Sequence, residues 1–432
     1  MVAEKAKEKN MKRLASSAFV LLLIALVVPS PAIAEFKAGV AVRIVTPNPL
    51  LPVTGGTGGT SPATRKIGEL TVRALALVSN GTNVVIVNAD FLGFPGILCE
   101  RVRARVKEVP AQNIIIGSTH THSAPDMYAF MNKDGKSGAD LKYIDDVCAK
   151  MADAIREAIG RMEPAVLKSA VGEARGKIAY NYYAPALYDP RMNVLQFLSV
   201  KPDGKPIATL VNYASHPEII GPDQGILSPD FCGSLYDRVA EKGGGIALYM
   251  NGAQGGMVTA DCRDPNNPGK DIHTWEECVR IGQLMADEAL RIAAPAPVQE
   301  NPNLACFETI VKLPVQSPLM RAILASSPLG FKVTADGSVP AQVNVVHLGT
   351  AQILTVPGEA LPNIGYYLKR KMRGRENLLF GLTNDALGYM LSKYDFDSFK
   401  RYEYITRTSL GENTAEIYVE QALKFLLSCP KL

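Results

Sequence analysis

Five side chains capable of metal binding or proton transfer follow apolar runs of this sequence. His120 and His122 stand one residue apart in GSTHTHSAPD, after the run NIII. His216 follows IATLVNYAS, Glu359 follows AQILTVPG, and Tyr389 comes shortly after NLLFGLTN. The chain has five histidines in all, so three of them lie at such positions. Because loops at strand ends converge on one edge of an α/β sheet, we expect these side chains to meet.

This set of residue types suits zinc. Imidazole nitrogens and a carboxylate oxygen bind Zn²⁺ at about 2.0–2.2 Å, and a catalytic zinc site keeps one position open for water. In an extended chain the single residue between His120 and His122 directs both side chains to the same side. One imidazole can then bind the metal while the other carries protons. The alternative is that both are polar loop residues at a strand end.

Other common catalytic motifs are absent from the sequence. There is no HExxH, no GxSxG and no CxxC, and the Gly/Pro/Thr-rich segment TPNPLLPVTGGTGGTSPAT lacks the spacing of a phosphate-binding loop. The chain has seven cysteines, an odd number that leaves at least one thiol unpaired or intermolecular. Cys262 with Cys278 is the favoured local disulfide in an exported chain, and most of the others are expected to be buried small residues.

The elements that must position these residues alternate between strand-like runs and amphipathic helices. GVAVRIV, LTVRALALV, NVVIVNAD, IATLVNYA, GIALYMNGA and QVNVVHLG are strand-like, whereas YIDDVCAKMADAIREAIGRM and TWEECVRIGQLMADEALRIA have helical periodicity. Many of the strands are apolar throughout, which indicates buried sheets. We therefore predict an α/β fold of mixed sheets flanked by helices, with a possible internal boundary at PVQENPN.

The first 34 residues resemble an export signal. A basic end precedes the apolar run AFVLLLIALVV, and small residues precede Glu35. The alternative is an uncleaved membrane anchor, for which the run is short. We expect residues 1–34 to be a signal peptide, residues 35–432 to be the mature domain, and the protein to be periplasmic or secreted. The leader carries five Lys/Arg and two Asp/Glu, which leaves the mature chain near +1 and indicates no nucleic-acid partner.

Several segments together resemble a known family. GSTHTHSAP is similar to the THTHSGP segment of neutral/alkaline non-lysosomal ceramidases, NYASHPEII to their second histidine segment, and VPGEAL to their PGE segment. GYMLSKYDFDSFKRYE resembles their GYVTT…RYE stretch, and NGAQGG resembles NGAxGD. The resemblance runs in order from about residue 37 to 425. It implies a ceramidase-like catalytic domain with no room for the C-terminal immunoglobulin-like domain of the full-length enzymes.

The resemblance also implies which residues bind metal. The family's first histidine ligand falls on His120, its later histidine ligand on His216, its carboxylate ligand on Glu359, and its unusual phenol ligand on Tyr389. These four are the expected Zn²⁺ ligands.

Two further residues receive catalytic roles from the resemblance. His122 is the candidate acid/base beside the metal, and Tyr402, in the RYE segment, is the tyrosine that faces the substrate carbonyl. Placing Tyr402 requires one extra residue between it and Tyr389. Asp90, at the end of VVIVNAD, either orients a ligand histidine or caps the helix that follows, and we favour the first.

The chain departs from the family where substrate is recognised. The family's Asn-Arg pair is replaced in Tyr180-Asn181-Tyr182-Tyr183, and the last Asp of NGAxGD is Gly256. Asp126-Met127-Tyr128 replaces a Gly-rich tail. The metal set is unaffected, so the sequence predicts a zinc hydrolase more firmly than a ceramidase.

Three hypotheses follow. The first is an exported zinc amidohydrolase that cleaves the N-acyl amide of a small lipid-like substrate, with possible peripheral contact to a membrane. The second keeps zinc but acts on a different amide or an ester. The third is a catalytically silent binding protein on this scaffold. The oligomeric state is left open.

Overall fold

Capping and residue spacing explain the long helix Trp275–Ala293. It begins after Thr274, whose hydroxyl accepts a hydrogen bond from the N–H of Glu277. Thr-x-x-Glu at a helix start is a capping-box pattern. The residues that this helix buries recur every three or four positions, which gives it one apolar face; they include Cys278, Ile281, Met285, Ala289 and Ile292.

The computed structural model describes residues 36–56, 60–131 and 135–432, apart from the side chain of Pro268. The predicted signal peptide lies outside the described residues and remains a prediction. Phe36–Leu432 forms one compact unit. Within the described ranges, no helix combines the length and the apolar character needed to cross a membrane.

The helices of the described residues are α1 (Gly96–Arg105), α2 (Leu141–Gly160), α3 (Phe231–Glu241), α4 (Trp275–Ala293), α5 (Pro318–Ser326), α6 (Pro362–Lys371), α7 (Glu403–Arg407) and α8 (Thr414–Ser428). Short 3₁₀ turns cover Ala111–Asn113, Pro222–Gln224 and Lys400–Tyr402. The strands are β1 (Lys37–Ile44), β2 (Val53–Thr54), β3 (Arg65–Lys66), β4 (Thr71–Ser79), β5 (Thr82–Ala89), β6 (Ile114–Ser118), β7 (Ala124–Pro125), β8 (Glu163–Glu173), β9 (Ala179–Asn181), β10 (Arg191–Ser199), β11 (Pro206–Tyr213), β12 (Ile226–Leu227), β13 (Ile246–Asn251), β14 (Val258–Ala260), β15 (Arg263–Asp264), β16 (Asn267–Asp271), β17 (Val298–Gln299), β18 (Leu304–Pro314), β19 (Ser338–Leu348), β20 (Ala351–Thr355), β21 (Glu359–Ala360), β22 (Glu376–Phe380) and β23 (Tyr389–Met390).

Two main sheets carry the fold. In the described residues the larger has nine strands in the order β13-β11-β10-β8-β1-β4-β5-β6, with β17 beside β8. It is antiparallel except that β5 lies parallel to β6 and β11 lies parallel to β13. The smaller sheet has the order β18-β19-β20-β22, with β20 parallel to β22. PVQENPN connects the two sheets within one unit, because Val298–Gln299 pairs with the larger sheet and β18 opens the smaller one.

The two sheets pack face to face, and helices cover their outer faces. Alternate residues of each strand point to opposite faces. Ile86 of β5 and Ile353 of β20 lie in the core between the sheets. Val85 and Val87 face the core beneath α1 and α2, and Leu354 faces the core beneath α6 and α8. A third outer core lies under α3 and α4. The predicted fold class, mixed sheets flanked by helices, is confirmed.

Candidate metal centre

His120 is held just beyond the end of β6 by the backbone that follows β5. Its N–H donates to the carbonyl of Phe91 at 2.9 Å, and its Nδ1 donates to the carbonyl of Leu92 at 2.5 Å. Its φ is +73°, a left-handed conformation that is uncommon for a non-glycine residue and concentrates at functional sites. The predicted extended THTH segment is therefore wrong. His120 and His122 reach the same site through a turn.

His216 follows the parallel strand β11 and is fully buried. Its backbone N–H donates to the carbonyl of Val258 at 2.9 Å, and its Nδ1 donates to the same oxygen at 2.7 Å. This hydrogen bond orients the ring so that Nε2 points towards Glu359, whose Oε2 lies 3.2 Å away. A carbonyl bonded to the far ring nitrogen is the usual support of a metal-binding histidine.

Glu359 and Tyr389 are brought together by a short parallel ladder. The strands β21 and β23 pair so that Glu359 lies directly opposite Tyr389. The Tyr389 hydroxyl donates to the Glu359 carboxylate and also contacts the sulfur of Met257 at 3.4 Å. Both side chains are buried. Residues 30 positions apart in the sequence thus present a carboxylate and a phenol at one point.

The arrangement fits a bound cation. His120 Nε2 is buried, has no hydrogen-bond partner among the described residues, and lies 3.5 Å from Glu359 Oε2. An unprotonated imidazole nitrogen and a carboxylate oxygen repel each other unless a cation lies between them. Donor atoms about 2.05 Å from a tetrahedral zinc ion are about 3.3 Å apart. The distances of 3.5 Å from His120 and 3.2 Å from His216 to the carboxylate match this value.

Burial and charge set the protonation of the centre. Burial lowers the pKa of His120 and of His122 to about 3, so both are neutral. Burial also opposes protonation of His216, but Glu218 and Glu359 outweigh it and raise the pKa of His216 to about 9. Burial favours a neutral Glu359, but the two neighbouring histidines outweigh it and lower its pKa. A metal ion held by these residues would require a deprotonated His216, since metal ligands must be deprotonated.

His122 lies beside the four predicted ligands. Its Nε2 is buried without a partner among the described residues, and its Nδ1 is 3.7 Å from Oε2 of Glu218. The backbone on both sides is braced, because Thr121 Oγ1 donates to the Ser228 carbonyl at 2.9 Å and the Ser228 N–H donates to the Ser123 carbonyl at 2.8 Å. Nitrogen atoms of the three site histidines lie within 4.8 Å of one another, so together they could hold a metal ion.

A cavity of about 50 Å³, here called the site cavity, opens onto these side chains. Its described lining comes from seven separate segments of the chain and contains no lysine or arginine. The lining residues are Gly55, Gly56, Leu92, His120, His122, Tyr128, Phe130, Met320, Glu359, Ala386, Gly388, Tyr389, Tyr404 and Thr408.

The tyrosine that enters the site cavity is Tyr404. Its ring lies 6.0 Å from that of Tyr389, centroid to centroid. Tyr402 is absent from the described lining, and its ring instead packs on Tyr183 at 5.0 Å and Phe399 at 5.5 Å. Both residues lie in a helical segment, where two positions rotate a side chain by about 200°. The register of this turn therefore decides which of the two tyrosines faces the site cavity.

Asn251 joins the two histidine loops, a role that sequence reasoning missed. Its Oδ1 accepts from the N–H groups of Ser215 at 3.1 Å and Gly252 at 3.0 Å. Its Nδ2 donates to the carbonyls of Thr119 at 3.1 Å and Ser215 at 2.9 Å. Thr119 and Ser215 immediately precede the two predicted histidine ligands. The only sequence signal was the position of Asn251 in the motif NGAQGG.

Asp90 does not orient a histidine. Its carboxylate accepts from the N–H of Thr71 at 2.8 Å, the hydroxyl of Thr71 at 2.7 Å and the hydroxyl of Tyr236 at 3.0 Å. The acceptor for His120 is instead the Leu92 carbonyl two residues further along. Burial raises the pKa of Asp90, with Arg73 and these donors opposing it.

The favoured disulfide is not formed. All seven cysteines lie in the described residues and are free thiols, and six of them are buried. Burial raises the pKa of Cys262 to about 12, so this thiol is unreactive. The structure therefore agrees with the interpretation that most of the cysteines are small buried side chains.

A larger cleft, of about 790 Å³, lies between α1 and the strands β18 and β19. Its buried charged groups, Arg103 and Asp385, already have partners. Arg103 donates to the carbonyl of Ile114 at 2.9 Å and to Asn384 at 2.7 Å, and the Asp385 carboxylate accepts from the N–H of Gly96 at 2.8 Å. The smaller site cavity, with unpartnered histidine nitrogens in it, is the better candidate for chemistry.

Comparison with known proteins places this fold in the class of the neutral ceramidase structures. The neutral ceramidase from Pseudomonas aeruginosa superposes with a TM-score of 0.73 at 15% identity, over 91% of this chain and 74% of that one. A ceramidase complexed with C2 gives a TM-score of 0.75 at 16% identity, over 91% of this chain and 75% of that one. No family model and no curated protein matches the sequence. The comparison therefore establishes the fold.

Proposed function

We propose that this protein is a zinc-dependent amidohydrolase that cleaves an N-acyl amide bond of a small lipid-like substrate, as a ceramidase does. One observation carries the proposal. The unprotonated Nε2 of His120 and the ring nitrogen of His216 both converge on one oxygen of Glu359, at 3.5 Å and 3.2 Å. Two imidazoles, a carboxylate and the phenol of Tyr389 make a donor set suited to zinc. The fold shared with neutral ceramidases supports the same chemistry.

Zinc, when bound, supplies a Lewis acid that polarises a carbonyl and acidifies water. The chain's own groups handle the remaining tasks. His122, neutral and next to Glu218, accepts a proton from the water that attacks the amide carbonyl and delivers it to the nitrogen as the C–N bond breaks. The Tyr404 hydroxyl donates a hydrogen bond to the carbonyl oxygen as negative charge develops there. This role was predicted for Tyr402, and we assign it to Tyr404 because that side chain lines the site cavity.

A second candidate keeps the metal and changes the substrate to a different amide or an ester. The absence of a cation at the substrate side favours this candidate. Tyr182 stands where the family has its arginine, and its side chain is 64% exposed. The described lining of the site cavity contains no lysine or arginine. A catalytically silent binding protein is the third candidate. The buried, unpartnered nitrogens of His120 and His122 argue against it, since such groups cost about 1–3 kcal/mol each unless a ligand uses them.

Metal content and hydrolysis measured on the same preparation test these alternatives. We expect about one Zn²⁺ per chain after reconstitution, and turnover of N-acyl amides that stops on chelation and returns with zinc. N-acyl sphingoid bases, N-acyl amino acids and aryl esters form the substrate panel. Bound zinc with ester turnover alone would favour the second candidate, and bound zinc with no turnover on any of them would favour the third.

A further inference from the structure

Tyr128 is a further phenol of the site cavity, and the resemblance to the ceramidases assigns it no role. It belongs to Asp126-Met127-Tyr128, the segment that replaces the family's Gly-rich tail. Its side chain lines the site cavity together with His122, Glu359 and Tyr404. This chain therefore presents an additional hydroxyl beside the predicted metal ligands, in a segment where its sequence departs from the family.

The Tyr128 side chain is fixed in place by its own loop and by two neighbouring segments. The carboxylate of Asp126 accepts from the Tyr128 N–H at 2.8 Å, and the Tyr128 ring stacks on Phe130 with centroids 4.7 Å apart. The carbonyl of Tyr128 accepts from the hydroxyl of Ser327, after α5, at 2.9 Å. A Cβ added to Gly93 would overlap the Tyr128 hydroxyl, so only glycine leaves room for the ring here. A donor held in this way needs no reorganisation when charge develops in front of it.

The Tyr128 hydroxyl has no hydrogen-bond partner among the described residues, and it retains contact with solvent. The hydroxyl of Tyr143, another half-buried tyrosine, instead donates to the carbonyl of Val45 at 2.7 Å. Around Tyr128 the wall of the site cavity includes the apolar side chains of Leu92 and Ala386. A single polar group in an apolar wall is the usual means by which a pocket orients a polar atom of its ligand.

The Tyr128 hydroxyl keeps its proton. Burial, followed by the negative charges of Glu359 and Asp385, raises the pKa of Tyr128 well above its ordinary value. The charge of Glu359 also raises the pKa of Tyr404, so both phenols lie around the same carboxylate. Each phenol is therefore a neutral O–H donor, the kind of group that stabilises an oxygen on which negative charge develops.

We propose that the Tyr128 hydroxyl donates a second hydrogen bond to the carbonyl oxygen of the substrate, beside the one from Tyr404. This inference rests on the proposed amidohydrolase function and adds a catalytic residue to the same site. When water adds to the amide carbon, the electron pair of the C=O bond moves onto that oxygen. Both phenols retain their protons, and the C=O bond forms again as the C–N bond breaks.

The test compares the zinc-loaded wild-type protein with zinc-loaded Tyr128→Phe on the N-acyl amide that the wild type hydrolyses fastest. We expect kcat to fall by about 10²-fold, the lower end of the usual contribution of one oxyanion donor. KM should stay near the wild-type value, because a bond made only in the transition state lowers kcat and kcat/KM equally. Zinc content and melting temperature should also stay near wild type, since phenylalanine preserves the stacking on Phe130.

Tyr143→Phe is the matched control. It removes a tyrosine hydroxyl that is bonded to the Val45 carbonyl and lies outside the described lining of the site cavity, so it should lower the melting temperature and leave kcat unchanged.

Three results for Tyr128→Phe would overturn the assignment of Tyr128 and leave the amidohydrolase proposal standing. They are a kcat near wild type, a raised KM at unchanged kcat, and a loss of kcat that accompanies loss of zinc. Absence of hydrolysis of any amide by the zinc-loaded wild type would overturn both proposals, and it is seen before any variant is compared.

Discussion

The candidate metal centre and the site cavity meet at the same strand ends but are built by different means. The metal side is held by backbone groups, because the Leu92 and Val258 carbonyls orient the two histidines and a parallel ladder aligns Glu359 with Tyr389. The cavity side consists of side chains from separate loops and from α5. A substitution that disrupts the backbone hydrogen bonds of the metal side disturbs the fold, whereas side chains on loops can be replaced without disturbing it. This difference explains why the sequence departs from the ceramidase segments at residues expected to contact substrate and not at the predicted metal ligands.

The largest expected effect separates the two adjacent histidines. His120→Ala should lose zinc and activity together, because it removes a ligand. His122→Ala should retain zinc and lose turnover by about 10²–10⁴-fold, the usual contribution of a general acid/base. Zinc content and turnover measured side by side distinguish these roles. His347→Ala is the control. His347 is a buried histidine of β19 that is hydrogen-bonded to Gln352 of β20, so its loss should change neither zinc content nor turnover.

Loss of zinc from His122→Ala would show that all three histidines bind the metal. Full zinc occupancy in His120→Ala would contradict the ligand assignment.

An intermediate effect is expected on the cavity side. Tyr404→Phe should lower kcat by about 10²–10³-fold with zinc retained, because it removes one hydrogen-bond donor to the developing oxyanion. Tyr402→Phe is the matched control, since that ring packs on Tyr183 and Phe399 outside the site cavity and should stay near wild type. Steady-state kinetics on both variants decide between the tyrosines. A larger loss for Tyr402→Phe would restore the assignment made from the sequence.

The smallest effect tests the clamp between the histidine loops. Asn251→Ala should weaken zinc affinity by about 10–100-fold, a typical consequence of removing a group that orients metal ligands. Competition with a chelator measures the affinity, and the melting temperature of the metal-free protein reports stability separately. Asn113→Ala removes a buried asparagine bonded to the Asn83 carbonyl, away from the metal centre, and is the control. A lower melting temperature with unchanged zinc affinity would show that Asn251 has only a structural role.

The predictions from sequence held where they rested on local pattern. The apolar runs before His120, His216 and Glu359 do form strands, and the side chains at their ends meet as expected. The prediction of an extended THTH segment and of Asp90 as the orienting group failed. Both depend on hydrogen bonds between segments, and residue spacing contains no information about them.

Tyr404 illustrates the same limit. The sequence places it two residues after Tyr402, and both are tyrosines in a segment with the same family resemblance. The choice between them depends on where the 3₁₀ turn Lys400–Tyr402 passes into α7. This register is set by the packing of the helix, which the resemblance of the RYE segment to the family does not contain, so the role given to Tyr402 stays a prediction beside the Tyr404 that lines the site cavity.

The sequence by itself determined the alternation of strands and helices and the donor types available at the strand ends, because hydrophobic periodicity and side-chain chemistry are local properties. Only the tertiary structure decided how those donors converge. The hydrogen bond of His120 to the Leu92 carbonyl, the pairing of Glu359 with Tyr389 and the Asn251 clamp each join segments that are not neighbours in the chain. The Asn251 side chain reaches a carbonyl 132 positions away, a contact that forms only once the two end strands of the larger sheet, β6 and β13, have come together.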